Sequence, residues 1–291
     1  MPPFIENTPR FPQLPNIELP PFLSFLKLAS FPLKTYPPVS QPKRSQKDTL
    51  YIYGPGLRAS PSISFDVDCI QTQIYFRFCN LDVDIKFTND PEASPSGKLP
   101  YFSTVTGKLL TGTQIDQWLK DNEKDISLGT HQDEAIAFIS MVKSKLHPAL
   151  LFSMWLEPLN YNENTFRMYY GHIPAPINSI MGYRKKEEIV NQLLANRDIL
   201  SREEVYADAA QTLEALSIKL GDYTYFFDQS GPTWMDAVVF SYLHVILGVP
   251  PVSKSNTSTE ERNQAATLRK LVQKHQNLVR YAKHINEHYL K

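Results

Sequence analysis

The sequence predicts an α+β chain in three stretches: a Pro-rich N-terminal extension over residues 1–47, a small mixed domain over 48–125, and an all-α domain over 126–291. Prolines crowd the start, with 11 of the 23 falling before residue 45. Short β-rich segments and two helical ones then follow in the order β-α-β-β-β-α. From Gly129 onward, apolar residues recur at helical spacing between capping signals.

Within the extension, Pro20-Pro21 precedes the apolar block Phe22, Leu23, Phe25, Leu26, Leu28 and Phe31, which Pro32 closes. Proline is tolerated in a first helical turn and not beyond it, so residues 21–31 read as a short helix or extended plug. Such a block can fold back on its own protein, fill a partner's groove or meet a membrane interface. Of these side chains, Phe22, Leu23, Phe25, Leu26 and Phe31 are the candidate partner-binding set. A polar hinge from Gln41 to Asp48 follows.

Leu50-Tyr51-Ile52-Tyr53 has strand composition and stops at Gly54-Pro55-Gly56. Ser64 is placed to cap a helix over about 65–79. Leu81 to Phe87 alternates as a second strand. Ser94 to Phe102 reads as a turn leading into a short strand, with Pro100 at its entrance, and Gly107 suits a hairpin into Lys108-Leu109-Leu110. Thr111 and Gln114 form a T-x-x-Q capping box for a helix through Trp118 and Leu119.

In the second half, 131–156 reads as one long helix kinked around Pro148, and 157–183 as an irregular Tyr-, Asn- and Pro-rich excursion. Ser201 with Glu204 opens a helix that ends at Gly221. Thr233 and Asp236 open an apolar helix through Val238, Phe240, Leu243 and Ile246. A last helix from Glu260 carries the stripe Leu268, Val272, Val279, Ala282 and Ile285.

Thirty basic residues balance thirty acidic ones. That argues against a general nucleic-acid binder, which needs a basic face, and offers little electrostatic resistance to self-association. Cys69 and Cys79 can build neither a CxxC pair nor a zinc quartet, and both lie in apolar surroundings that suit buried thiols of a reducing compartment. No uncharged apolar run reaches the length of a span: Ile136–Leu156 is broken by Lys143, Lys145, His147 and Pro148. Membrane association is therefore expected to be peripheral.

Three local patterns converge. Gly97-Lys98-Leu99-Pro100-Tyr101-Phe102 precedes a hairpin, where a cis-proline would hold the turn. Phe226-Phe227 is followed by Pro232-Thr233-x-x-Asp236, a cap in which both side chains supply oxygen to a buried helix start. Asn277-Leu278-Val279-Arg280-Tyr281 closes the last helix. Together these resemble the glutathione-transferase fold: a thioredoxin-like N-terminal domain followed by an all-α C-terminal domain. Pro100, Thr233 and Asp236 are the structural positions so marked.

The core Cys69-Ile70-Gln71-x-Gln73-x-Tyr75-x-Arg77-Phe78, the stretch Asn89–Phe102, and Trp155, Tyr161 and Tyr169-Tyr170 are similar to the metaxin family. Within it they most resemble the fungal peripheral, metaxin-like subunit of the mitochondrial sorting and assembly machinery. The resemblance covers about residues 50–290. It implies a non-enzymatic subunit on the cytosolic face of the mitochondrial outer membrane. Its partners would be the β-barrel insertase subunit, a second metaxin-like subunit and β-barrel precursor proteins, with no cofactor.

Catalysis has its own test. A transferase needs a hydroxyl or thiol near the end of the first strand to stabilise the glutathione thiolate. Tyr53, Ser60, Ser62 and Ser64 are available. It also needs an acidic or amide residue followed by serine at the helix after the last strand, where this chain has Gly112-Thr113. A cytosolic glutathione-dependent transferase is thus the alternative, and a soluble adaptor of the same fold a third reading. His284-x-x-Glu287-His288 matches an inverted zincin motif, but only three residues follow it to supply the third ligand a catalytic zinc requires. It is read as a solvated face, and no metal is assigned.

Overall fold

The computed structural model describes residues 46–56, 61–195, 199–250 and 257–290. Chain packing separates Met1–Lys43 from Arg44–Lys291, and every described strand and helix belongs to the second unit. The apolar block Phe22, Leu23, Phe25, Leu26, Leu28 and Phe31 lies outside the described residues.

Four short strands form one sheet in the order β2-β1-β3-β4: β1 Thr49–Ile52, β2 Asp84–Phe87, β3 Tyr101–Ser103 and β4 Leu109–Thr111. β1 pairs in parallel with β2, Thr49 opposite Asp84, and antiparallel with β3, Thr49 opposite Ser103. β3 and β4 form the hairpin expected around Gly107. The parallel pair is connected through α1, Val67–Phe78, and the sheet is followed by α2, Thr113–Asp121. Leu50, Ile52 and Phe102 are fully buried.

Two caps differ from expectation. Asp66, not Ser64, is the N-cap of α1, its carboxylate accepting from the Cys69 N–H at 3.1 Å, while the Ser64 hydroxyl accepts from Asp66 N–H one step earlier. At α2 the N-cap is Gly112, at φ +48°, and only half of the expected box exists: Gln114 Oε1 accepts from Thr111 N–H at 3.1 Å.

The helical part is richer than the pattern implied. α3 (Gln132–Met141) and α4 (His147–Leu151) are joined by a π turn at Val142–Leu146, and a second π turn, Phe152–Leu156, follows α4. Each of these π turns ends just before an X–Pro pair, His147-Pro148 and Glu157-Pro158. The His147 and Glu157 N–H groups each reach back five residues, to Val142 O and Phe152 O. Proline has no N–H and its ring crowds the carbonyl of the preceding turn, so a locally widened helix absorbs it without a break.

The expected excursion over 157–183 is helical as well. It contains α5 (Pro158–Asn160), a π turn, α6 (Phe166–Tyr170) and the start of α7 (Ile177–Leu194). Asn and Tyr density misled there, because their side chains serve tertiary bonds: Asn160 Nδ2 donates to Ser153 O and to Ala265 O. By length and composition, Gly129–Leu156 is also one helix able to cross a membrane, contrary to the reading that no stretch qualifies. Its Val142, Leu146 and Ala149 are fully buried, and Lys219 meets its Glu134.

α8 (Arg202–Leu220) is capped by Ser201, which accepts from Glu204 N–H, and ends at Gly221. α9 (Trp234–Gly248) is apolar on all sides and lies at the centre. It packs against α1, with Tyr75 edge-on to Trp234 at 4.8 Å. The final helix is three: α10 (Thr259–Ala265), α11 (Thr267–Gln273) and α12 (Gln276–Tyr289).

Asp236, fully buried at the third position of α9, organises the junction. Its Oδ2 accepts from Thr233 N–H and Thr233 hydroxyl, both at 2.8 Å. Its Oδ1 accepts from Phe226 N–H at 3.1 Å and from the Tyr281 hydroxyl at 3.0 Å. Burial pushes its carboxyl above the usual range, while those hydrogen bonds hold it down. The sequence treats Thr233 and Asp236 as equal partners, whereas the structure loads four bonds on the carboxylate. Thr233→Ala should therefore cost about 1–2 kcal/mol and Asp236→Ala about 3 kcal/mol or more, since the latter leaves several buried donors unmet. The double variant should resemble Asp236→Ala alone. Denaturant unfolding checks this, and equal losses for the two single variants would contradict it.

Candidate functional site

A cleft lies where three elements of the sheet domain meet. α1 contributes Asp68, Gln71 and Thr72, the turn before β3 contributes Leu99 and Pro100, and the start of α2 contributes Gly112 and Thr113. Trp234 and Lys143 approach from the helical side, enclosing a cavity of about 420 Å³. The Leu99–Pro100 peptide is cis. That volume falls within the range of small-molecule sites.

The hydroxyl candidates do not reach it. Tyr53, Ser62 and Ser64 are absent from the cavity wall, and Ser60 lies outside the described residues. Tyr53 packs against Phe65 at 5.7 Å and edge-on against Tyr169 at 5.3 Å. Burial pushes its phenol up, the wrong direction for a residue that must share its proton with a thiolate. Ser64 is buried and its Oγ is engaged by Asp66 N–H. Cys69 is also buried, and burial pushes its thiol well above the usual range, which makes it inert.

The carboxylate anchor is missing too. At Gly112 the backbone sits at φ +48°, and a Cβ placed there would meet nothing within 4 Å, so no side chain reaches into the space. Asp68 and Asp116 put two carboxylates on the cavity wall, beside Lys98 and Lys143. The His284–Glu287–His288 motif sits on α12. There His284 faces His288 at 4.0 Å between ring centroids, and its Nε2 lies 3.4 Å from the Tyr225 hydroxyl. Among the described residues no group of three His, Cys, Asp or Glu is placed to hold a metal ion.

Two clusters were not anticipated. Tyr169 donates to Asp66 Oδ2 at 2.8 Å, tying α6 to the cap of α1 across 103 positions. Buried Glu157 accepts from Arg202 Nε at 2.8 Å and from the Tyr206 hydroxyl at 3.0 Å, while Arg202 reaches Thr267 at 3.0 Å, linking three helices. Asp66, three places before Cys69, carried the weak signal of a cap; nothing local marked Glu157.

Residues 69–186 match the family described as outer mitochondrial membrane transport complex protein (Tom37), and residues 209–285 match the glutathione S-transferase C-terminal domain. Mouse Metaxin-1 is 33% identical over 196 residues, covering 63% of this chain and 61% of that protein. Mouse Metaxin-2 is 28% identical over 235 residues, covering 78% and 83%. The chain is thus similar to metaxins over these stretches. It spans 61% of the length of mouse Metaxin-1 and 42% of that of human Metaxin-1. A glutathione transferase from Phanerochaete chrysosporium superposes with a TM-score of 0.51 at 14% identity, covering 82% of this chain and 98% of that one. At that identity the likeness establishes the fold alone: a small sheet domain followed by helices.

Two expectations attach to this metaxin-like chain. With Gly112 in place of the anchor and none of Tyr53, Ser62 and Ser64 on the cleft wall, it should neither be retained specifically by glutathione resin nor conjugate a general electrophile above background. Millimolar-or-better affinity by calorimetry, abolished by Tyr53→Phe, would overturn the silent cleft. The second concerns pH. Burial first, and then the charge of Asp68, push the Asp66 carboxyl up to about 6, against about 4 in an unfolded chain. The folded state thus holds that proton more tightly, so the stabilisation is complete below about pH 4 and is lost as pH rises through about 6. Wild type minus Asp66→Asn, measured as unfolding free energy against pH, should fall across that window; a flat difference would mean the carboxyl is not perturbed.

Proposed function

We propose that the chain is a non-enzymatic peripheral subunit of the mitochondrial outer-membrane β-barrel assembly machinery. It would bind the insertase barrel on its cytosolic side, alongside a second metaxin-like subunit, and help recognise or insert β-barrel precursors. In this reading residues 1–47 are a docking extension, 48–125 the thioredoxin-like domain and 126–291 the helical domain. Its principal support is a transferase fold in which none of the described hydroxyl candidates, Tyr53, Ser62 and Ser64, lines the cleft and Gly112 stands at the expected anchor position. The match of residues 69–186 to an outer-membrane transport family supports the compartment. A cytosolic glutathione-dependent transferase is the second reading, favoured by the persistence of a cavity of about 420 Å³ with Thr113 on its wall.

The extension supplies the docking term. Burying a few of Phe22, Leu23, Phe25, Leu26 and Phe31 is worth about 1.5–3 kcal/mol each before the ordering of the tail is subtracted. Alkaline extraction of mitochondria should release the chain and retain the insertase barrel. Removing residues 1–40 should leave a folded body that co-purifies less well with that barrel. Binding to protein-free liposomes as tightly as to mitochondria would count against protein-mediated docking; unfolding of the truncated body would assign the apolar block to its own core.

A further inference from the structure

A second cavity, which shares no residue with the cleft beside Pro100, lies among the helices. α4 and the π turn after it, the end of α9, and the break between α10 and α11 border about 250 Å³ there. Leu150, Met154, Ile246 and Leu268 are buried and form its apolar wall. Ala265 and Ala266 stand at the α10–α11 break, and their methyl groups leave the space unfilled.

The polar side chains of this wall donate within it. Asn160 Nδ2 donates to Ser153 O at 3.0 Å and to Ala265 O at 2.9 Å. The buried Thr165 hydroxyl donates to Met154 O at 2.7 Å. Donors already satisfied in this way give a water little to hold, whereas an aliphatic chain is stabilised by leaving water for such a wall.

Charge sets the class of ligand. Two guanidiniums, Arg262 and Arg269, are on the lining, and no aspartate or glutamate is. Arg269, half-buried, donates to the last carbonyls of α9, Leu247 O at 3.0 Å and Val249 O. Arg262 Nε donates to Ser258 O at 3.4 Å. These partners are neutral, and burial lowers the Arg269 pKa from its ordinary value. The carboxylates on the bordering segments are engaged elsewhere: Glu157 by Arg202 at 2.8 Å, Glu163 by Arg167 at 3.3 Å, and Glu261 by Ser258 N–H at 2.9 Å. Glu260 is exposed and off the lining. An apolar chamber with cations and no anion at its wall is complementary to a chain that ends in a negative charge.

We propose that this cavity takes a single-chain aliphatic carboxylate. The chain lies against Leu150, Met154, Ile246 and Leu268, and the carboxylate meets the guanidiniums of Arg262 and Arg269. A volume of about 250 Å³ is below that of drug-sized sites, so it admits one short chain and not the two of a phospholipid. The site goes beyond the reading of the chain as an assembly subunit and does not rest on it.

The full-length chain is titrated calorimetrically at neutral pH with decanoate, decan-1-ol and decylamine. Decanoate should bind at one site, about tenfold or more tighter than the alcohol or the amine. Arg262→Glu, at an exposed position, should weaken decanoate by about tenfold and leave decan-1-ol unchanged. Ala266→Leu, which fills the cavity, should weaken both. Absence of saturable decanoate binding overturns the site. Equal binding of all three probes overturns the carboxylate, since the cavity would then be indifferent to charge. Decanoate binding unchanged in Arg262→Glu, with the fold checked by circular dichroism, places the ligand elsewhere and overturns the proposal too. If Ala266→Leu does not fold, the charge variant still decides.

Discussion

One buried carboxylate holds the two halves of the helical layer in register. Asp236 caps the central helix, and in the same stroke it fixes the turn at Phe226 and receives the hydroxyl of Tyr281 from the last helix. A carboxylate is the side chain for this task because its two oxygens can accept four donors at once. A neutral cap could satisfy the helix start but not the other two elements. Asn277 completes the junction by donating to Ser217 O at 2.8 Å and Gly221 O at 3.1 Å at the end of α8. Because α9 in turn packs against α1, the placement of the sheet and of the cleft beside Pro100 depends on this one buried group.

Two of the three sequence patterns that pointed to the fold are thus parts of one hydrogen-bonded junction. Phe226-Phe227, Thr233-x-x-Asp236 and Asn277–Tyr281 were legible because each carries local chemistry: a turn, a cap, a helix face. The strand order was legible for a similar reason, since alternation and turn residues are short-range signals. What escaped was tertiary. The cap of α1 passed from Ser64 to Asp66 because Tyr169, far along the chain, supplies the second hydrogen bond that favours the carboxylate there. The helicity of 157–183 escaped because π turns shift the apolar period, so a 3.6-residue template loses phase. The absence of transferase anchors at Gly112-Thr113 could be read directly, whereas the withdrawal of Tyr53 into an aromatic cluster could not.

The cleft keeps the parts that also serve packing. The cis-proline turn, the start of α2 and the α1 wall remain, because they also carry the packing of the sheet on α9. Of the hydroxyl candidates, Tyr53, Ser62 and Ser64 do not line it. Tyr53 now contributes a ring to the contact between the sheet and α6, and Ser64 satisfies a backbone amide.

The bond between Asp66 and Tyr169 has an evolutionary consequence. Neither partner tolerates the other's loss: a carboxylate without the phenol is left under-solvated at the helix start, and a phenol shielded from water is stranded without its acceptor. Substitution at either position alone is thus a step downhill, while exchange of both for a neutral cap and a phenylalanine is nearly level. Positions 66 and 169 should therefore drift as a pair among the chain's relatives, and a lineage that has replaced one should carry the matching replacement at the other.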